Sequence, residues 1–117
     1  MSNPFAIEIA QEIGAAKVLR LRGRLEASGA QELLQQASAF REAGETVLVL
    51  DLKDVEFLAS SGLGTLLLLT EDFRDNGCQL ILAALPPAVR EVVDMLNLDQ
   101  FLQIEPTVAS GLQHAGS

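Results

Sequence analysis

The sequence predicts a single α/β domain built on a mixed sheet of four to five strands, opened by an antiparallel hairpin and flanked by about four helices. Three observations predict it. Strand-like runs alternate with helix-like stripes along the chain. The run Val47-Leu48-Val49-Leu50-Asp51-Leu52 is apolar at nearly every position, as in a strand covered on both faces. With five Phe and neither Trp nor Tyr, the core must be packed from Leu, Val, Ile and Ala. A chain of 117 residues holds one such core, so residues 5–113 are read as the domain and 1–4 and 114–117 as flexible tails.

The elements follow in order. Phe5 to Ile9 and Lys17 to Arg22 alternate apolar and polar residues with Gly14 between them, the pattern of a hairpin. Gly23-Arg24-Leu25-Glu26 leads to Ser28, a capping residue answered three positions later by Gln31. Ala30, Leu33, Leu34, Ala37 and Phe40 then fall at helical spacing and Gly44 supplies a left-handed stop, which places the first helix at about 29–43. The strand from Val47 belongs in the middle of the sheet, and the chain continues through Val55, Phe57 and Leu58. A second helix runs from Ser61 to Asp75, closed by Asn76-Gly77. At about 100° per residue its inward face carries Leu63, Leu66, Leu67, Thr70 and Phe73, with Leu69 on a flank and Leu68 opposite. Cys78 to Ala84 reads as a buried strand. Pro86-Pro87 opens a third helix whose inner stripe is Val89, Val92, Val93 and Leu96, with Asn97 at its end. Phe101 to Ile104 is a short last strand, and Thr107 to Gln113 a last, frayed helix.

Composition excludes several functions. With 16 acidic and 8 basic side chains the formal charge is -8, which repels phosphate backbones and anionic headgroups, so neither nucleic acid nor direct membrane insertion is expected. One cysteine and one histidine make neither an internal disulfide nor a Cys/His zinc site, and they suit a reducing compartment. No apolar run is long enough to span a bilayer and the first residues lack the layout of a secretory signal, so the cytoplasm is the expected location. His114 reads as a solvated tail residue, which leaves every serine without a base. Cys78 reads as a buried, inert thiol. Glu8, Glu26, Asp51, Asp54 and Glu56 have no acid–base spacing and read as surface charge. Gly62-Leu63-Gly64 is only a fragment of a phosphate-cradling loop. No catalysis, cofactor or metal is expected.

The junction Ala59-Ser60-Ser61-Gly62 is more informative. A strand ending at Leu58 delivers Ser60 and Ser61 to the start of a helix, where unpaired N–H groups and the helix dipole favour negative charge. A phosphoryl group on a serine capping the helix would sit well there. The simpler alternative is a common serine cap, with Gly62 present for tight packing. Beyond the junction, the four leucines 66–69 cannot all face one sheet; either neighbours cover the outer ones or they form an exposed apolar patch.

Three segments together resemble the STAS domain, the family of bacterial anti-sigma factor antagonists. They are Gly23-Arg24-Leu25-Glu26 with Ala30 and Leu33; Val49-Leu50-Asp51-Leu52 through Val55-Glu56-Phe57-Leu58 to Ser60-Ser61-Gly62-Leu63-Gly64; and Pro87-Ala88-Val89 through Leu96 and Leu98 to Phe101. In order and spacing they cover roughly residues 6–104. The resemblance implies a mixed sheet flanked by helices and no catalysis of its own. It implies a histidine-kinase-like serine kinase, the anti-sigma factor, as partner. That kinase would use ATP to phosphorylate Ser60, the first serine of an Asp-Ser-Ser/Thr-Gly motif. The unmodified antagonist binds the kinase and frees the sigma factor, and a PP2C-type phosphatase reverses the modification. The implied partner surface is Glu26, Ala59, Ser60, Ser61, Gly62, Leu63, Thr65 and Leu68; a weak homodimer is a further expected association. Two positions depart from the family pattern, which has an acidic residue where this chain has Ala59 and Asp where it has Glu26. An alternative reading is a constitutive STAS subunit of a lipid-transport ABC complex or a stress-signalling assembly. A third is a small-molecule or nucleotide binder using Gly62 and Gly64.

Overall fold

In the computed structural model, which describes residues 4–116, nine regular elements follow one another. They are β1 (Ala6–Ile13), β2 (Ala16–Leu25), α1 (Ala27–Glu42), β3 (Val47–Leu58), α2 (Ser60–Asp75), β4 (Gln79–Ala83), α3 (Pro87–Met95), β5 (Gln103–Glu105) and α4 (Val108–Leu112). Short 3-10 turns lie at Leu98–Gln100 and Gln113–Gly116. The five strands lie in the order β1-β2-β3-β4-β5, the first pair antiparallel and the others parallel. This is the mixed sheet with an opening hairpin that the sequence predicts, and β3 lies at its centre with residues 47–52 all buried.

Alternation sorts the strand residues onto two faces. Leu19, Leu21, Leu48, Leu50 and Leu82 pack beneath Leu33 of α1, Leu66 and Phe73 of α2, and Val89 of α3. Val18, Val49 and Ile81 face the other way, beneath Val108 and Leu112 of α4. The three parallel crossovers advance in one direction across the sheet, and their common handedness carries α1, α2 and α3 to the same face. Both long helices stop where glycine admits a positive φ. Gly44 (φ 101) lets Glu45 N–H reach the Phe40 carbonyl at 3.0 Å, and Gly77 (φ 71) lets Cys78 N–H reach that of Phe73 at 2.8 Å. Each is the six-to-one bond of a Schellman stop.

The structure corrects several sequence expectations. Parallel pairing with β3 carries β2 as far as Leu25, so Glu26 is the N-cap of α1 and the expected box between Ser28 and Gln31 does not form. The buried positions of α2 are Gly62, Leu66, Leu69, Thr70 and Phe73. Leu69 is therefore core rather than flank and Leu63 only half-buried, because the helix is rotated to lay Gly62 against the sheet; Leu68 is exposed, as expected. Leu96 leaves the inner stripe of α3, which ends at Met95, and is exposed. Cys78 is half-buried.

His114 is held rather than free. Its Nε2 lies 3.3 Å from a Glu105 carboxylate oxygen and its Nδ1 3.4 Å from the Gln103 side chain. Of the expected tails, residues 1–3 and 117 lie outside the described residues.

Asp51 is not surface charge but buried. β3 spends twelve residues against ten of β2, and the two extra residues sit at irregularities opposite Arg20–Arg22 and Gly23–Arg24. Asp51 accepts the Lys53 N–H at 3.1 Å and lies 3.4 Å from Arg20 Nε, satisfying a backbone donor beside the first irregularity.

Candidate functional site

The C-terminal ends of β2 and β3 are neighbours, paired through Leu25 and Leu58, and each strand turns at once into a helix. The Ala59 N–H donates to the Leu25 carbonyl at 3.0 Å, tying the start of α2 to the start of α1. Ala59 is the N-cap of α2, so Ser60 is the first helical residue and not the capping residue expected from sequence.

The first intrahelical bond of α2 runs from Leu63 N–H to the Ala59 carbonyl at 2.9 Å. Ser60, Ser61 and Gly62 thus present N–H groups with no acceptor inside the helix. In α1 the first bond is Ala30 N–H to Glu26 at 2.8 Å, which leaves Ala27, Ser28 and Gly29 in the same position. Neither helix has a side-chain cap or an acidic residue in its first turn. Two positive helix ends therefore open side by side, with the exposed hydroxyls of Ser60 and Ser61 between solvent and the sheet.

Glycine permits this proximity. A β-carbon on Gly62 would lie 2.7 Å from the Leu25 carbonyl oxygen and 2.9 Å from Leu58 Cδ1. Packing thus accounts for Gly62 without a phosphate-cradling role. Gly29 is filled from the other side by the Phe5 ring, 2.6 Å from where its β-carbon would be.

Of the residues singled out from sequence, Glu26, Ala59, Ser60, Ser61 and Gly62 meet at this edge. Leu63 and Thr65 follow, half-buried, on the first turns of α2, and Leu68 is two turns further along, 53% exposed. Sequence reasoning missed the pairing of Arg24 with Phe57. The Glu56 irregularity turns Phe57 away from the helices, and the Arg24 guanidinium lies 4.2 Å above its ring while also bonding Glu26 at 3.2 Å. The alternation of Arg20, Arg22 and Arg24 was the available signal. Among the described residues no group of His, Cys, Asp and Glu could hold a metal ion, and no helix is long and apolar enough to cross a membrane.

A family model of the STAS domain matches residues 6–111. The chain belongs to that family. It is 33% identical over 90 residues, 77% of its length and 75% of the relative's, to BtrV of Bordetella bronchiseptica, whose name describes an anti-sigma factor antagonist. The structure is similar, at 25% identity and over the whole of both chains, to an anti-sigma factor antagonist from Mycobacterium paratuberculosis, with a TM-score of 0.86. The same fold is found in SpoIIAA. The unphosphorylated form has a TM-score of 0.76 at 21% identity over 97% of this chain and 98% of that one. The phosphorylated form has a TM-score of 0.71 at 19% identity over 96% and 99%. Within the STAS fold, Ser60 thus stands at an exposed helix start on the edge where β2 and β3 end.

Proposed function

We propose that this STAS domain, residues 5–113, is a cytoplasmic anti-sigma factor antagonist controlled at Ser60. It binds a histidine-kinase-like serine kinase that acts as anti-sigma factor, and phosphorylation of Ser60 by that kinase ends the complex. A PP2C-type phosphatase restores it. The observation that carries the reading is the placement of Ser60: an exposed hydroxyl on the first residue of α2, beside three N–H groups that have no helical acceptor. A phosphoryl group there brings about -1.5 to -2 charge to a helix end that stabilises it, so the fold survives while the docking surface changes sign. The relatedness to BtrV and the likeness to SpoIIAA, an antagonist with a phosphorylated form, support the same role.

The test is reconstitution. Each histidine-kinase-like serine kinase encoded in the same genome is incubated with the protein and ATP, and the intact mass is measured. One phosphate, lost in Ser60→Ala, is expected; modification at another residue by a kinase that binds the protein refutes the assignment.

Ala59 favours a second reading, because it supplies no carboxylate beside Ser60 and no cap to α2. In that reading the same edge is a permanent dock in a larger assembly, such as a transporter. Co-purification with a transporter ATPase, unchanged by Ser60→Asp, would support it.

A further inference from the structure

Gly62 and Gly64 are two residues apart on α2, and among the described residues only the first has a neighbour that explains it. Gly64 has an ordinary helical φ, is exposed, and has nothing among the described residues within 4 Å of the position a β-carbon would take. Glycine at a solvent-facing interior position of a helix weakens it relative to alanine. Here no turn, bulge or neighbour compensates. A missing β-carbon that nothing among the described residues requires makes room for something outside them.

The surroundings of Gly64 describe that object. Ser61, Gly64, Leu68, Glu71 and Asp75 form the exposed stripe of α2, about 21 Å long at the rise of an α-helix. The track is straight and of a length that suits another helix. Leu68, 53% exposed, is its apolar centre.

Glu71 and Asp75 have no ion-pair partner among the described residues. The nearby cations are engaged elsewhere: Arg41 with Asp72 at 2.7 Å, and Arg74 with the Phe101 carbonyl at 2.7 Å. The C-terminal half of the stripe thus carries two acids with no ion-pair partner among the described residues, on a chain of net charge -8. A second copy would bring the same acids and be repelled, whereas a basic surface would be drawn in.

Resting on the antagonist reading above, we infer that this stripe seats a basic helix of the switch kinase, with Gly64 as the point of closest approach. The contact extends nearly four turns beyond the serine pair. It couples the phosphorylatable helix start to an acidic anchor further along the same helix.

The experiment measures affinity for the purified kinase, together with urea midpoints, for the wild type, Gly64→Ala and the double variant Glu71→Lys/Asp75→Lys. Gly64→Ala is expected to raise the urea midpoint of the free protein and to weaken kinase binding about tenfold. The double variant is expected to weaken it at least tenfold and to remove most of its dependence on salt between low and high ionic strength. Unchanged affinity in both variants overturns the inference while leaving the antagonist reading intact. A lower urea midpoint for Gly64→Ala also overturns it, since Gly64 would then serve its own fold. A free protein that sediments as a dimer, dispersed by Leu68→Glu, would make the occupant a second copy and overturn it as well. If no kinase binds the wild type, the antagonist reading falls and the inference with it.

Discussion

Gly62 sets how closely α2 can sit on the end of β2, and replacing it with alanine tests that geometry directly. The added β-carbon would lie 2.7 Å from the Leu25 carbonyl oxygen, 2.8 Å from Leu25 Cγ and 2.9 Å from Leu58 Cδ1, where ordinary contact begins near 3.4 Å. The three obstacles belong to the ends of β2 and β3, and one of them is backbone, so rotamer changes alone cannot clear them. The start of α2 must lift by roughly half an ångström. Overpacking of this kind costs about 1–3 kcal/mol, and the gain from replacing glycine in a helix returns at most about 1 kcal/mol. A net loss of about 1–2 kcal/mol lowers the urea midpoint by roughly 0.5–1 M at the slopes usual for small domains. Equilibrium urea unfolding followed by circular dichroism measures it. A midpoint equal to or above that of the wild type would refute the reasoning, because α2 could then move freely off β2 and Leu25 would not fix the position of Ser60.

Two further outcomes are expected. Leu69→Ala should destabilise the protein by about 2–5 kcal/mol, as a fully buried leucine does, while Leu68→Ala should stay within about 0.5 kcal/mol; equal effects would contradict the observed rotation of α2. Lys17 should give a pH-dependent contribution, because its hydrogen bond to Glu12, aided by the charges of Glu12 and Glu45 and opposed by burial, holds its pKa above the ordinary 10.5. A raised folded-state pKa means that the stabilisation is complete below about 10.5 and fades as pH rises past the folded value. The stability difference between the wild type and Lys17→Met should therefore be constant near neutral pH and shrink above 10.5, and a difference that grows there would contradict it.

Local signals were enough for most of the fold. Alternation marked the hairpin, the continuous apolar run placed β3 at the centre, and Gly44 and Asn76-Gly77 ended both long helices where the sequence said they would. What escaped depends on a partner strand. Glu26 replaced Ser28 at the head of α1 because pairing with β3 extends β2, and neither irregularity in β3 is visible without knowing what lies opposite it. The same holds for Asp51, whose burial follows from a backbone N–H that only the irregular register leaves free. For α2 the helical period was right and its phase was wrong. Counting leucines favours Leu63 and Leu67, whereas the helix is oriented by the close approach of Gly62, a residue with no side chain to count. At the candidate site, the sequence singled out the serine pair and its neighbours. It did not reveal that Arg24 and Phe57 meet on the opposite side of the strand ends.

In the function proposed, an unmodified Ser60 permits docking of the kinase and a phosphorylated one forbids it. The most direct measurement is calorimetric titration of the kinase with the unmodified protein and with protein phosphorylated stoichiometrically at Ser60. Tight binding of the first and an affinity at least a hundredfold weaker for the second are expected; equal affinities would rule out control at Ser60.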